Sequence, residues 1–366
     1  MAAKPSAFTN IATMAVPLIA MAVLAVTWGR DLSGVVVVGV ALCLAGAVLA
    51  AVHHAEVVAH RVGEPFGSLV LAVAVTVIEV ALIVTLMADG GDKSATLARD
   101  TVFAAVMITC NGIVGLALLV GAKRNGVANF NTEGTVAALA TVATLATLSL
   151  VLPTFTTSRP GPEFTGPQLV FAAVVSLALY GLFVAMQTVR HRDYFLPVTR
   201  DGEVVDAESH ATPPSAREAW ISLGFLLIAL ISVVGNAKGV SPTIESGVKS
   251  AGLPHAVVGV IIALLVLLPE TLAALRSARR DRVQISLNLA HGSAIASIGL
   301  TIPAIAIASI WLSGPLELGL GPTHMVLLAL TVMVSSLTVV PGRATVLQGG
   351  VHLVLFASFV FLAVSP

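Results

Sequence analysis

Eleven apolar runs fill most of this sequence, at 11–28, 34–58, 67–88, 101–122, 134–153, 169–189, 219–234, 256–275, 285–312, 324–340 and 344–364. About 20 apolar residues in a helix cross the ~30 Å hydrocarbon core of a bilayer. Composition agrees: 57% of residues are hydrophobic and only 10% charged, whereas a soluble surface needs about 25% charge. A soluble fold is excluded, and the expectation is an all-α transmembrane chain of about 11 helices in a lipid bilayer. The formal net charge is +0 and no basic stripe stands beside aromatics, so a nucleic-acid partner is excluded too. The two cysteines, Cys43 and Cys110, both sit inside apolar runs, which indicates neither a disulfide framework nor a thiolate metal site.

Charge placement orients the runs. With eleven spans, the side of the N-terminus receives Lys4, Arg61, Lys123, Arg124, Arg190, Arg192, Arg200, Arg217, Arg276, Arg279, Arg280, Arg282 and Arg343, 13 of the 19 basic residues. The other side receives the remaining six: Arg30, Lys93, Arg99, Arg159, Lys238 and Lys249. The positive-inside rule then places the N-terminus in the cytoplasm and the C-terminus outside a plasma (bacterial inner) membrane. The first run, which follows Lys4, reads as an uncleaved helix rather than a secretory signal, having no small-residue cleavage site. The polar stretch 190–218 carries both charge signs and Pro213-Pro214, and reads as a flexible cytoplasmic linker. It sets five spans on each side of itself after the first. The expected layout is a leading helix (1–33), a five-helix repeat (34–189), the linker (190–218) and a second five-helix repeat (219–366). An odd number of helices per repeat gives the repeats opposite topology, the pattern of an inverted-repeat transporter.

Within the runs, three acids lie away from loops and span ends: Glu56, Glu79 and Glu270. Each costs about 2.5–3.5 kcal/mol on the insertion scale, and intramembrane ionisable groups are functional by default. Glu79 and Glu270 occupy the second helix of their respective repeats. Because those helices run in opposite directions, the two carboxylates are expected to meet at one midplane site. Two glutamates can neutralise a divalent cation, bind monovalent cations, or take up protons, so cation and proton compete for the same oxygens. A dehydrated Ca²⁺ needs about 6–8 oxygens. Neutral candidates follow each glutamate: Thr109, Cys110, Asn111 and Gly112 in the fourth span, and Asn288, His291, Gly292, Ser293 and Ser297 in the ninth.

These residues resemble the calcium/proton antiporters of the cation/calcium exchanger superfamily, over nearly the whole chain. The stretch Ala55-Glu56-Val57-Val58-Ala59 through Gly63-Glu64-Pro65-Phe66-Gly67 to Glu79 is similar to the family's first repeat. Pro269-Glu270-Thr271-Leu272-Ala273-Ala274 through Asn288-Leu289-Ala290-His291-Gly292-Ser293 is similar to its second. The nearest likeness is to the bacterial sodium-potassium/proton and calcium/proton branch. The resemblance implies that Glu79 and Glu270 carry both cation and proton, with Glu56 on a cytoplasmic access or proton path. The family's Gly-Asn-x-x-Glu pattern is altered here: the Asn position holds Thr76 in the first repeat and Leu267 in the second, and the Gly positions hold Val75 and Val266. Thr76 keeps one oxygen and Leu267 none, so the site is poor in neutral ligands for Ca²⁺.

The leading expectation is a secondary active antiporter, not an enzyme, that exchanges Ca²⁺, and Na⁺ or K⁺, for H⁺ and needs no resident cofactor. Its partners are inorganic cations, protons and lipid. Two rivals have weaker support. A transporter of another solute would need aromatic or Arg partners in midspan. An intramembrane metal-dependent hydrolase rests only on His53, Glu56 and His60, at i, i+3 and i+7 of one helix face, without an HExxH or Gly-x-Ser-x-Gly motif. Arg276, Arg279, Arg280 and Arg282 read as headgroup anchors. Asp193, Asp201, Glu203, Asp206 and Glu208 read as solvated linker acids, and His352 as a packing histidine. Glu245, Glu317 and His324 are expected in outer loops.

Overall fold

The structure is a computed structural model that describes residues 7–30, 32, 34–63, 66–88, 95–198, 213–254, 256–312 and 314–366. Lys4, Glu64, Pro65, Lys93, Arg200, Asp201, Glu203, Asp206 and Glu208 lie outside the described residues. Every one of the eleven apolar runs carries helix. Among the described residues eight helices are long and apolar enough to cross a membrane, and a ninth if one bent pair counts as a single span; Ala12–Thr27 and Val73–Thr85 are shorter apolar helices. The chain divides into two compact units, residues 1–86 with 211–252, and residues 87–210 with 253–366. Each unit therefore draws helices from both sides of the 190–218 stretch.

The first unit holds α1 (Ala7–Thr27), α2 (Gly34–Val62), most of α3 (Phe66–Ala88) and α9 (Ala216–Ser250). α1, α2 and α9 pack on one another. Small side chains make this contact: Ala20, Ala47, Ala50, Ala51 and Ala55 are buried, as expected where helices associate without a hydrophobic driving force. His54 bridges all three helices, with Nε2 3.0 Å from the Thr13 carbonyl and its ring stacked on Phe225. α9 begins at a reciprocal cap between Ser215 and Glu218, which satisfies otherwise orphaned N–H groups. It also corrects an expectation. The apolar run ends at Val234, but the helix continues to Ser250, so Lys238, Glu245 and Lys249 are helical rather than in a loop. The Asn236 amide donates to Ala20 O at 2.9 Å and to Ser232 O at 2.8 Å. With both amide N–H groups paired inside the bundle, the fall in hydropathy after Val234 does not end the helix.

The second unit holds α4 (Leu97–Met107), a π-helical turn Ile108–Ile113, α5 (Val114–Asn125), α6 (Thr132–Ala146), a π-helical turn Thr147–Val151, α7 (Leu152–Phe155) and α8 (Gly166–Ala185). After the break come α10 (Ala256–Val266), α11 (Leu268–Arg279), α12 (Val283–Ala308), α13 (Pro322–Val339) and α14 (Val346–Val364). α4 and the following π turn are buried almost throughout. The outward faces are apolar instead: Val170, Val174, Leu337, Val354 and Phe361 are exposed, which suits hydrocarbon and not water.

Two short strands were not expected. β1 (Val127–Asn129) pairs antiparallel with β2 (Arg343–Thr345), so the last run begins as strand and becomes helix only at Val346. Part of the 190–218 stretch is also ordered. Arg192–Phe195 forms a 3₁₀ turn whose Phe195 is buried edge-on against Phe183, and Asn288 donates to the Phe195 carbonyl at 2.6 Å. One aromatic anchor and one backbone acceptor turn polar residues into packed structure. His324, expected in a loop, lies in the first turn of α13 against Phe103.

α5 and α14 cross with glycine on both sides. A Cβ on Gly349 would stand 2.7 Å from Leu119 N and 3.0 Å from Gly115 O, whereas one on Gly350 would meet nothing within 4 Å. Gly349→Val should therefore cost about 1–3 kcal/mol of overpacking and lower the thermal unfolding midpoint in detergent. Gly350→Ala should not lower that midpoint, since the added methyl meets open space and Ala is the better helix former.

Candidate cation and proton site

Glu79 sits in the middle of α3, which is a continuous helix. Its side chain is 4% exposed and Thr76, three residues earlier, is 5% exposed, while Val73 and Val77 face outward. The i, i+3 spacing puts Thr76 and Glu79 on one buried face, next to Val75, Ile78 and Ile83. The hydroxyl and carboxylate are thus held together by helix geometry in an apolar wall.

Glu270 is placed differently. α10 and α11 meet at a 51° bend, with Leu267 at φ −85°, ψ 1° between them. Pro269 is the cause. It has no N–H to offer the Leu265 carbonyl, and its ring crowds that carbonyl in a regular helix. The Leu267 carbonyl accepts from Thr271 N at 2.9 Å and from Thr271 Oγ1 at 2.7 Å. Glu270 therefore occupies the first turn of α11, half-buried, where the N-terminal end of the helix dipole favours negative charge. Ser286 Oγ donates to Ala274 O at 2.6 Å and fastens α11 to α12. α11 also packs against α5 and the π turn Ile108–Ile113.

The neutral candidates are distributed among hydrogen-bond networks. Asn111 is buried on the π turn; its Nδ2 donates to Thr331 Oγ1 at 2.9 Å, and its Oδ1 lies 3.1 Å from His352 Nδ1. Thr331 donates onward to Leu327 O at 2.8 Å. His352 Nε2 lies 3.2 Å from Thr338 Oγ1, which is also 2.8 Å from Val334 O. Thr338 has one proton. Given to Val334 O, it leaves Nε2 to donate and the ring cationic; given to Nε2, it leaves the ring neutral. His352 thus packs α14 to α4–α5 and α13, with both nitrogens engaged. Asn288 is a strut as well: Oδ1 accepts from Gln284 Nε2 at 2.8 Å, while Nδ2 holds Phe195 O. Gln284 Oε1 accepts from Asn131 N at 2.6 Å, tying α12 to the start of α6. Ser293 is half-buried a turn and a half further along α12.

Thr76, Glu79 and Glu56 belong to the first unit, and Glu270, Asn111, Asn288 and Ser293 to the second. Glu56 is exposed on α2, as is His60, while His53 is half-buried. Among the described residues no three His, Cys, Asp or Glu side chains gather into a group able to hold a metal ion, so His53, Glu56 and His60 do not form one. Gln284, Thr331 and Thr338 were missed in the sequence because single polar residues in an apolar run do not reveal their partners. Pro269 directly before an intramembrane glutamate was the available signal for the helix break.

An apolar exterior, a broken helix carrying a carboxylate and a second carboxylate buried in a continuous helix define a multi-pass membrane transporter. The sequence model described as Sodium/calcium exchanger protein matches residues 32–189 and 221–365, and the chain belongs to this family. It is 34% identical over 347 residues to the sodium-potassium/proton antiporter ChaA of Escherichia coli, covering 94% of this chain and 93% of that protein. It is 47% identical over 327 residues to a Sinorhizobium fredii protein that bears the name ionic transporter y4hA, covering 88% and 87%. Its fold matches the crystal structure of the H⁺/Ca²⁺ exchanger CAX with a TM-score of 0.68 at 14% identity, over 97% of this chain and 92% of that one.

Asn111→Leu removes the acceptor for His352 and the donor for Thr331 together. The unpartnered groups should cost about 1–3 kcal/mol, read as a lower unfolding midpoint of the purified protein. An unchanged midpoint would remove Asn111 from a packing role.

Proposed function

We propose that this chain is a secondary active antiporter that exchanges Ca²⁺, Na⁺ or K⁺ for H⁺ across a bacterial inner membrane. It acts as a transporter and not an enzyme, with its N-terminus cytoplasmic and two inverted five-helix repeats alternating access to one site. The observation that carries the proposal is one intramembrane carboxylate in each unit, Glu79 buried on α3 and Glu270 at the Pro269 break. Membership of the exchanger family and the name of the 34% identical relative, a sodium-potassium/proton antiporter, support the substrate class.

In this reading Glu79 and Glu270 hold the cation between them, Thr76 adds a hydroxyl, and the interrupted backbone before Pro269 supplies carbonyl oxygen, as broken helices do in other transporters. Asn111, Asn288 and Ser293 shape the surroundings, the first two through the hydrogen bonds they already make. Burying two bare carboxylates in hydrocarbon is costly, so the empty, doubly charged site crosses poorly. Either a cation or protons must discharge it first, and this exclusion couples the two fluxes. Glu56, exposed on α2, serves proton access from the cytoplasmic side. The 13-to-6 distribution of basic residues supports the orientation.

Reconstitution into liposomes with an imposed pH gradient tests the proposal. Ca²⁺, Na⁺ or K⁺, added separately, should collapse the gradient with at least one of the three; collapse by none overturns it. Glu79→Gln and Glu270→Gln should each abolish exchange with folding intact, and either variant retaining exchange would remove that residue from the mechanism. Because protons compete for the same oxygens, the apparent affinity for the cation should weaken as pH falls on the side of loading.

A further inference from the structure

We propose that the second unit carries a phospholipid site built from an apolar groove and an adjoining arginine-lined pocket that share Thr156. The groove has a volume of about 380 Å³ and is lined by Leu148, Leu152, Phe155, Phe164, Phe171 and Val175. Leu148, Leu152 and Phe155 follow one another at i, i+4 and i+7 along the end of the fifth apolar run. Phe171 and Val175, also four apart, lie on the facing stretch of α8. The groove therefore descends along two helices from the 156–165 loop toward the membrane interior. Eight helical steps along α8, from Pro167 to Val175, take it about 12 Å down at 1.5 Å per step. Phe155 and Phe171 are 66% and 63% exposed, so the groove opens outward and offers aromatic walls to a chain lying along it.

At its upper end lies a pocket of about 430 Å³ lined by Arg99, Arg159, Thr154, Thr156 and the 319–322 backbone. Both guanidiniums are paired with carboxylates, Arg99 also with Glu317 Oε2 at 4.0 Å. Arg99 Nε meets Asp100 Oδ1 at 2.8 Å and its Nη1 donates to Gly319 O at 3.2 Å, while Arg159 Nε lies 3.0 Å from Glu163 Oε2. No acid is among the residues that line the pocket. A guanidinium has five N–H donors, and Arg159 engages only Nε among the described residues, with its side chain 52% exposed. Its Nη groups form the flat, paired donor edge that takes phosphate oxygens two at a time. The Thr154 and Thr156 hydroxyls give their protons to Leu320 O and Pro153 O, so the guanidiniums supply the donors for a phosphate.

An apolar trough along two membrane-spanning helices, capped by arginine donors at the loop, matches one ligand chemistry: a phosphodiester attached to a hydrocarbon chain. A free phosphate would leave the trough unused, and a neutral diacylglycerol would leave the Arg159 Nη edge without an anion. The occupant is therefore a membrane phospholipid, with its phosphate at Arg159 and Arg99 and one acyl chain against Phe155 and Phe171.

The test uses the full-length protein, delipidated in detergent and titrated with phosphatidylglycerol, with diacylglycerol of the same chains, and with glycerol 3-phosphate, read by native mass spectrometry and by the unfolding midpoint. Phosphatidylglycerol should bind roughly tenfold more tightly than diacylglycerol, the factor that one charge-assisted hydrogen bond supplies, and should raise the midpoint. Arg159→Gln should erase that preference without changing diacylglycerol binding, and Arg159→Lys should restore part of it. The double variant Phe155→Ala, Phe171→Ala should weaken both lipids. Equal phosphatidylglycerol binding by wild type and Arg159→Gln overturns the proposal. So does glycerol 3-phosphate binding as tightly as the lipid, which would make this a site for free phosphate.

Discussion

Hydrocarbon cannot hydrogen-bond, and the rest of the structure follows from that constraint. Every buried N–H, carbonyl and charge must find its partner inside the protein or remain as a cost of several kcal/mol. Helices answer this for the backbone. Asn236, Asn111 and His352 answer it for side chains by bonding across helices to Ala20 O, Thr331 and Thr338. Against this background an intramembrane carboxylate needs a reason, and Glu79 and Glu270 stand on α3 and α11 as candidates for cargo rather than for packing.

The two glutamates reach their environments by different physics. Glu79 depends on burial in a continuous helix, with Thr76 on the same face. Glu270 depends on Pro269, which bends the span by 51° and puts the carboxylate in a new first turn. One helix contributes a charge in an apolar wall, and the other a charge beside an interrupted backbone. On the proposed mechanism the cation ligands from the two halves are accordingly unequal, and Leu267, with no side-chain oxygen, increases the difference.

Much of the helical architecture was legible in the sequence because a bilayer makes hydrophobicity nearly sufficient: all eleven apolar runs carry helix. The limits of that signal are equally physical. Hydropathy could not foresee that α9 continues to Ser250, since the Asn236 amide N–H groups are paired inside the bundle. Nor could it find β1 and β2, whose pairing joins residues more than 200 positions apart in sequence, from Val127 to Thr345. The turn around Phe195 was hidden inside a polar stretch whose order depends on one buried ring. Glu79 and Glu270 stood out as charges in apolar runs, but the roles of Asn111 and Asn288 depend on partners from distant helices, which no local spacing reveals.

The central claim is that protons and cation exclude one another from the two carboxylates. Proton release on cation addition to the purified protein in weakly buffered detergent tests it most directly. With Ca²⁺, Na⁺ and K⁺ titrated separately below neutral pH, binding of the transported cation should release protons into solution, and the Glu79→Gln, Glu270→Gln double variant should release none. Cation binding that proceeds with no proton release and an affinity independent of pH would contradict it.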